Sequence, residues 1–383
     1  MVYRTLGRTG FSVGEIGLGC EHLENKPYEI VKEVVDEALL LGVNFWDLFM
    51  SEPQVRTNIG RALAGRRQEV LIQGHVGACW KNGQYARSRD VGECAEAFTD
   101  LLTRLQTDYI DVGMIHYVDT QEDFDSAFSG PFIAYVKELR QKGVIRSIGL
   151  SSHSAEIALQ AVNTGLIDVL MLSVNPVFDL LPDNIDLDTQ FEDGTLSSHA
   201  PHTLNATRTA LYQACEKNGV GISVMKALMA GRLLDAKASP LGVALTLPQC
   251  IHFALTRPAV SSVLVGCVDA DQMRQAVAYS DMSDAEKDFS RALSGLSHYH
   301  AKGACVYCNH CLPCPVNIDI AEVNRCLDTA MALSPLPSSV LARYGCMKTY
   351  AGECITCGQC ELNCPFGVDI IEKMNRAALL FGR

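Results

Sequence analysis

Three observations predict an α/β chain in which eight parallel strands close into a barrel and a smaller helical domain follows. At 383 residues, 48% of them hydrophobic, the sequence can bury one large core and still supply a second domain. From residue 16 to about 280, short apolar runs alternate with helix-length amphipathic segments, the pattern of repeated βα units. Ten of the 16 cysteines then fall between Cys305 and Cys364, which marks a change of composition and therefore of domain. The expected boundaries are 1–283 and 284–383.

The chain starts with a Gly-Arg-Thr-Gly turn between short apolar stretches, Tyr3 to Val13, which reads as a hairpin able to plug the barrel bottom. The expected strands are Ile16–Cys20, Asn44–Asp47, Val70–Gly74, Tyr109–Met114, Ile145–Leu150, Val169–Val174, Gly221–Met225 and Ser262–Val265. The helices between them are Tyr28–Leu41, Pro53–Leu63, Val91–Leu105, Gly130–Lys142, Ala155–Thr164, Thr207–Asn218, Leu247–Thr256 and Asp271–Tyr279. Phe178 to Asn205 exceeds common βα loop lengths and is expected to form a lid or partner surface.

Composition also narrows function. The net charge of −12 is spread along the chain without the clustered Lys/Arg stripe that a phosphate backbone demands, so nucleic acid is not an expected partner. No run of about 18 apolar residues predicts a membrane span, and the start has no basic segment followed by an apolar one, so a cytoplasmic location is expected. Six scattered cysteines (Cys20, Cys79, Cys94, Cys215, Cys250, Cys267) show no pairing pattern, and each reads as a small buried hydrophobe, although Cys20 and Cys79 could line a pocket.

A set of motifs in order along residues 1–280 carries a family resemblance: Tyr3-Arg4-Thr5-Leu6-Gly7-Arg8-Thr9-Gly10, Ile16-Gly17-Leu18-Gly19, Gly42-Val43-Asn44-Phe45-Trp46-Asp47, Asp108-Tyr109-Ile110-Asp111 followed by His116, and Gly149-Leu150-Ser151. Together they resemble the aldo-keto reductases, and with the cysteine-rich tail the chain resembles that family's iron–sulfur branch. The resemblance implies a TIM barrel with its site at the strand C-termini, where Asp47, His75, His116, Asn175 and Lys226 fall. It also implies an Asp, Tyr, Lys, His tetrad acting with NADP(H).

Two of the four catalytic positions match, Asp47 and His116. Counting from Asp47 places Glu52 where the family has its tyrosine, with no tyrosine nearby in the sequence, and His75 where it has its lysine. The usual relay, in which a lysine cation lowers the tyrosine pKa from about 10, is therefore not expected. Among the implied nucleotide contacts, Ser151, Asn175, Lys226, Gly266 and Gln272 fit, whereas Val268 and Ala276 stand where an arginine and an asparagine would be, and Met225 where an aromatic would stack. Losing an Arg–phosphate pair removes a strong contact, so NADP(H) is a weakened expectation.

Three readings of the pocket remain open. In one, Asp47 orients His75 by a hydrogen bond while Glu52, His75 and His116 act as acids and bases. In another, Glu52, His75 and His116 form a two-histidine, one-carboxylate site for a mononuclear Fe(II) or Zn(II). In the third the polar groups satisfy one another and the barrel is a scaffold. His153 and His199 have no defensible partner spacing.

The tail is more explicit. Cys354-x2-Cys357-x2-Cys360-x3-Cys364-Pro365 is the bacterial ferredoxin run, and Cys305-x2-Cys308-x2-Cys311-x2-Cys314-Pro315 nearly repeats it. A structural zinc site normally uses two separated Cys-x2-Cys knuckles and has no use for the proline. Two [4Fe–4S] clusters are expected, one on Cys305, Cys308, Cys311 and Cys364, the other on Cys354, Cys357, Cys360 and Cys314. Helices near Ile318–Ala332 and Ser338–Lys348 make the domain α-helical and ferredoxin-like, with Cys326 and Cys346 as packing residues.

The leading expectation is an anaerobic oxidoreductase acting on a small hydroxyl- or carbonyl-bearing substrate, with electrons reaching it through the clusters from a redox partner such as a ferredoxin, a flavodoxin or another oxidoreductase. A lyase or dehydratase using the same acid/base cluster without net redox, and an electron-transfer subunit with a non-catalytic barrel, are the alternatives.

Overall fold

The computed structural model describes residues 1–180, 205–294, 303 and 305–383. The expected lid lies outside the described residues over 181–204, and His199 with it. By compactness the chain divides into one unit of Met1–Ser173, Val220–Ala227 and Val260–Asp281, and a second of Val174–Gly219, Leu228–Ala259 and Met282–Arg383. The second unit thus joins two stretches from the middle of the chain to the residues from Met282 onward.

The first unit opens with β1 (Tyr3–Thr5) and β2 (Ser12–Gly14), an antiparallel pair. The eight parallel strands follow as β3 (Ile16–Gly19), β4 (Phe45–Leu48), β5 (Leu71–Val76), β8 (Ile110–Ile115), β9 (Ile145–Ser152), β10 (Val169–Ser173), β11 (Gly221–Met225) and β12 (Val260–Gly266). They close in the order β10-β11-β12-β3-β4-β5-β8-β9. All eight correspond to the strands expected from sequence. Buried on both faces, they read as near-continuous apolar runs, which is why their existence was legible without alternation.

Between β5 and β8 the structure adds a two-stranded hairpin, β6 (Ala78–Lys81) and β7 (Gln84–Arg87). Helices Tyr28–Leu40, Pro53–Ala62, Val91–Leu105, Gln121–Phe128, Gly130–Gln141, Ala155–Asn163 and Ala270–Val277 complete this unit.

The barrel floor is filled as the sequence suggests. Leu6 and Val13 of the first hairpin are fully buried in one cluster with Phe45, Val112, Met114, Val169, Met171 and Leu264. The Arg8 guanidinium donates to Asp168 at 2.8 Å, and Ser261 Oγ to Thr5 O at 3.0 Å. The plug passes so close to β11 that a Cβ on Gly221 would lie 2.6 Å from Gly7 N. Glycine is required there to keep the floor shut.

The second unit holds helices Ala206–Asn218 and Leu247–Leu255 and, toward the C-terminus, Ile320–Ala332, Ser338–Gly345 and Ile370–Phe381. Cys326 packs at 0% exposure on its helix, as expected. Cys346, by contrast, is exposed, because it falls at the helix C-cap and beyond the buried stripe. Tyr344 stacks on Phe381 with ring centroids 4.1 Å apart, joining the last helix to the one before it.

Candidate active site at the barrel mouth

Inward positions at the C-terminal ends of β4 and β5 place Asp47 and His75 side by side, at 1% and 2% exposure. His75 Nε2 lies 2.9 Å from Asp47 Oδ1, the hydrogen bond expected from sequence. Beneath them Gln73 Nε2 donates to the same Asp47 oxygen at 2.9 Å, and Gln73 Oε1 accepts from Ser223 Oγ at 2.8 Å. Gln73 and His75 are two residues apart on one strand, so both side chains face the barrel interior.

His116 follows β8, and its backbone N–H is bound to Val76 O. Its Nδ1 lies 2.7 Å from His75 Nδ1, and its Nε2 lies 2.5 Å from the Tyr85 hydroxyl. Phe49 stacks parallel to the His116 ring at 6.1 Å. Four side chains therefore form one hydrogen-bonded line, Asp47, His75, His116, Tyr85. A consistent proton placement exists: Tyr85 donates to His116 Nε2, His116 Nδ1–H donates to His75 Nδ1, and His75 Nε2–H donates to Asp47.

Tyr85 is the residue that the sequence reading missed. It comes from β7, across the hairpin from Trp80 and not from the helix after β4. The signal was present as Asn82-Gly83, a two-residue turn with both residues at positive φ, 53° and 76°, between two four-residue strands. Asn-Gly in that setting is the strongest short-range hairpin signal. A second glycine, Gly77 at φ 102°, turns the chain out of β5, and a Cβ there would lie 2.8 Å from Ser88 O.

Burial holds the His116 imidazole well below its ordinary pKa, helped by His75, Arg89, Arg87 and His153. Arg89 reaches His116 O at 2.6 Å, and the Arg87 guanidinium lies over the Tyr117 ring. Partial burial pushes the Tyr85 phenol up to about 12. Neutral histidines and a protonated tyrosine are the species that the hydrogen-bond pattern needs. Asp47 Oδ2 is buried with no hydrogen-bond partner. Glu21, whose carboxyl is raised by desolvation and next by Asp47, is its electrostatic neighbour.

Glu52 does not belong to this line. Its carboxylate is the N-cap of helix Pro53–Ala62, accepting from Gln54 N at 2.7 Å and Val55 N at 2.5 Å. Both oxygens are thereby committed to the helix end, which corrects its expected role as acid or metal ligand. Among the described residues no group of three or more His, Cys, Asp or Glu side chains is arranged to hold a metal ion. The two histidines face each other through the nitrogens that such an ion would need.

The residues implied for a nucleotide are mostly engaged with the protein itself. Ser151 Oγ accepts from Tyr117 N, Asn175 Oδ1 from Val177 N and Phe178 N, and Gln272 Oε1 from Val268 N. The His22 ring packs 2.8 Å from where a Gly266 Cβ would be. The N-terminus of helix Ala270–Val277 is already capped by the Asp269 carboxylate. These residues do not fit a nucleotide phosphate, since the turn offers an anion where a cation is wanted. Lys226 is an exposed residue at φ 60° after β11, lowered in pKa by desolvation and drawn back up by Asp119 and Glu21.

A second polar cluster, unanticipated from sequence, centres on Asp119. It accepts from Ser152 Oγ at 3.0 Å and His153 N at 2.6 Å, and its Oδ2 lies 2.8 Å from His153 Nδ1.

In the second unit, Cys311, Cys314, Cys354, Cys357 and Cys360 line one pocket whose walls include Ile318, Ile320, Ile355 and Met374. Asn324 Nδ2 lies 3.3 Å from Cys305 Sγ. The donor set suits iron–sulfur clusters: soft thiolates, an apolar wall and an N–H aimed at sulfur. The thiols stand around the pocket without converging on a single ion.

The family model for aldo/keto reductases matches residues 15–246, and the chain belongs to that family. Among its curated relatives is the Bacillus subtilis uncharacterized oxidoreductase YqkF, 26% identical over 299 residues, covering 76% of this chain and 94% of the relative. Another is the Escherichia coli NADH-specific methylglyoxal reductase, 22% identical and covering 76% and 95%. The fold is that of the solved aldo-keto reductase AKR11C1 from Bacillus halodurans, with TM-score 0.57 and 23% identity over 75% of this chain and 94% of that one. Both cysteine runs lie beyond residues 15–246, which the family model matches.

Proposed function

We propose that this oxidoreductase interconverts a small carbonyl compound and its alcohol, with Tyr85 as the group that exchanges a proton with substrate and His116, His75 and Asp47 as the line behind it. The observation that carries this reading is the unbroken row of hydrogen bonds from Asp47 to Tyr85. Oxidation of an alcohol uses the placement described above. Tyr85 accepts the substrate hydroxyl proton while passing its own to His116 Nε2, His116 Nδ1–H moves to His75 Nδ1, and His75 Nε2–H moves to Asp47; the two electrons of the broken C–H bond would leave singly through the iron–sulfur clusters to the external redox partner, and its proton to water.

Reduction runs the same line backwards from a protonated Asp47. The unpartnered Asp47 Oδ2 can hold that proton, and Glu21 beside it can deliver one. The lysine of the usual tetrad is not needed, because a neutral histidine pair replaces a charged relay.

The two cysteine runs would hold two [4Fe–4S] clusters, on Cys305, Cys308, Cys311 and Cys364, and on Cys354, Cys357, Cys360 and Cys314. When bound, they supply single electrons drawn from a ferredoxin- or flavodoxin-like donor or another oxidoreductase. Support comes from the spacing and from the five thiols that share one pocket. Small ketoaldehydes, the substrate class named for the Escherichia coli relative, belong in the first panel to be tried.

The test is turnover of a panel of small aldehydes and ketones by the full chain, reduced anaerobically. Tyr85→Phe should lower kcat by about 10²–10⁴-fold with the iron content intact. Equal turnover by wild type and Tyr85→Phe would remove the proposed role.

A further inference from the structure

Cys79 and Cys94, scattered cysteines in the sequence, meet in the structure. Cys79 sits on β6 and Cys94 in the first turns of helix Val91–Leu105, both buried and both free thiols. The Cys79 thiol lies against the carbonyl of Glu93, the residue that precedes Cys94 on the helix. Cys79 Sγ lies 3.9 Å from Glu93 O, and Cys94 Sγ lies 3.3 Å from Ser88 O, so each faces the backbone beside the other.

The pair is chemically unequal. The neighbouring Cys94 brings the Cys79 thiol down to about 7 against the opposing effect of burial, with Lys81 and Arg56 also favouring the thiolate, while Cys94 is pushed up by Cys79 and by burial. A thiol that titrates near ambient pH, beside a second that can resolve its oxidised form, is the arrangement of a reactive pair. Access does not require the barrel to open. β6 and β7 are only four residues each, and a two-stranded hairpin of that size is marginal by itself.

We propose that Cys79 and Cys94 are a redox modification site, oxidised by a small peroxide to a disulfide that staples the β6–β7 hairpin to helix Val91–Leu105. The Cys79 thiolate attacks one peroxide oxygen. The O–O bond breaks, and the departing hydroxide leaves as water with the proton that Cys79 released. Cys94 Sγ then attacks the sulfenic sulfur, the S–O bond breaks, and a second water leaves with the Cys94 proton. Two thiols are oxidised and one hydrogen peroxide is reduced to two waters.

The staple reaches the active site through register. Cys79 pairs with Ala86, and the next pair is Trp80 with Tyr85. Closing the two sulfurs to a bond of about 2.05 Å moves β6 toward the helix and Tyr85 with it. Since a misplacement of about 1 Å can cost about 10²-fold, oxidation should lower turnover and a thiol reductant should restore it. This consequence rests on the proton line proposed above; the disulfide itself does not.

Trypsin separates the two sites, because residues 68–81 and 90–104 each carry a single cysteine. The full chain, with its iron in place, is treated anaerobically with one equivalent of hydrogen peroxide, alkylated and mapped by mass spectrometry. The expected product is the cross-linked pair of those peptides, and in Cys94→Ser a dimedone adduct on Cys79 in its place. Recovery of both peptides as alkylated free thiols after peroxide would overturn the proposal, as would an adduct on Cys94 in Cys79→Ser matching that on Cys79 in Cys94→Ser. A cross-link with unchanged turnover would leave the modification site standing and break its coupling to Tyr85.

Discussion

At the scale of single residues, the buried histidines set how the protein responds to acid. An unfolded chain takes up a proton on His116 near its ordinary pKa of about 6.5, whereas the folded chain holds that imidazole well below it. Below about pH 6.5 the unfolded state therefore binds the extra proton, and stability falls as pH drops, by up to about 1.4 kcal/mol per pH unit for this group. The contribution is fully present above about pH 6.5 and is lost as pH descends toward the folded value. Denaturant unfolding at pH 7 and pH 5 should show a smaller loss for His116→Gln than for wild type. Turnover should show no ionisation from Tyr85 until about pH 12, since burial keeps the phenol protonated. A tyrosine-dependent step between pH 8 and 10 would mean that a cation lowers it after all.

Secondary-structure elements decide which side chains reach the site. Glu52 was placed by counting along the sequence, but a helix must satisfy its first N–H groups, and this carboxylate does so. Glu52→Ala should cost on the order of 1 kcal/mol in stability and leave kcat unchanged, a separation that a catalytic role would not permit. The hairpin makes the opposite case. Gly83 sits at φ 76° with nothing within 4 Å of a Cβ, so Gly83→Ala costs backbone strain alone, about 1 kcal/mol. Hydrogen exchange should then report several-fold more frequent opening of β6 and β7, with the barrel strands unchanged, and turnover should fall in step. Unchanged exchange in the hairpin would argue against its being a locally stabilised element.

For the whole molecule, the barrel and the cysteine-rich region answer to different physics. The barrel needs no metal to close, since its floor is plugged by Leu6 and Val13 and its interior packed by apolar side chains. The thiols Cys305 to Cys364 belong to a segment dense in cysteine, for which a metal centre is a folding device as well as a redox one. Anaerobic purification followed by iron and sulfide analysis should find about eight irons per chain, falling to about four on Cys357→Ser. Zinc in their place would refute the cluster assignment.

The sequence by itself determined the eight strands, the barrel, the plug and the two thiolate runs, because each is written in local periodicity or spacing. Tertiary structure alone decided that His75 faces His116, that Tyr85 enters from a hairpin, that Glu52 turns away and that Cys79 meets Cys94. The physical reason is distance along the chain. Apolar runs and Cys-x2-Cys spacings act within a few residues, whereas His75 and His116 are separated by 41 positions and meet only when neighbouring strands align their C-terminal ends. The hairpin shows the border between the two. Its Asn-Gly turn was local and legible, but where Tyr85 would land depended on how β5 and β8 pair beneath it.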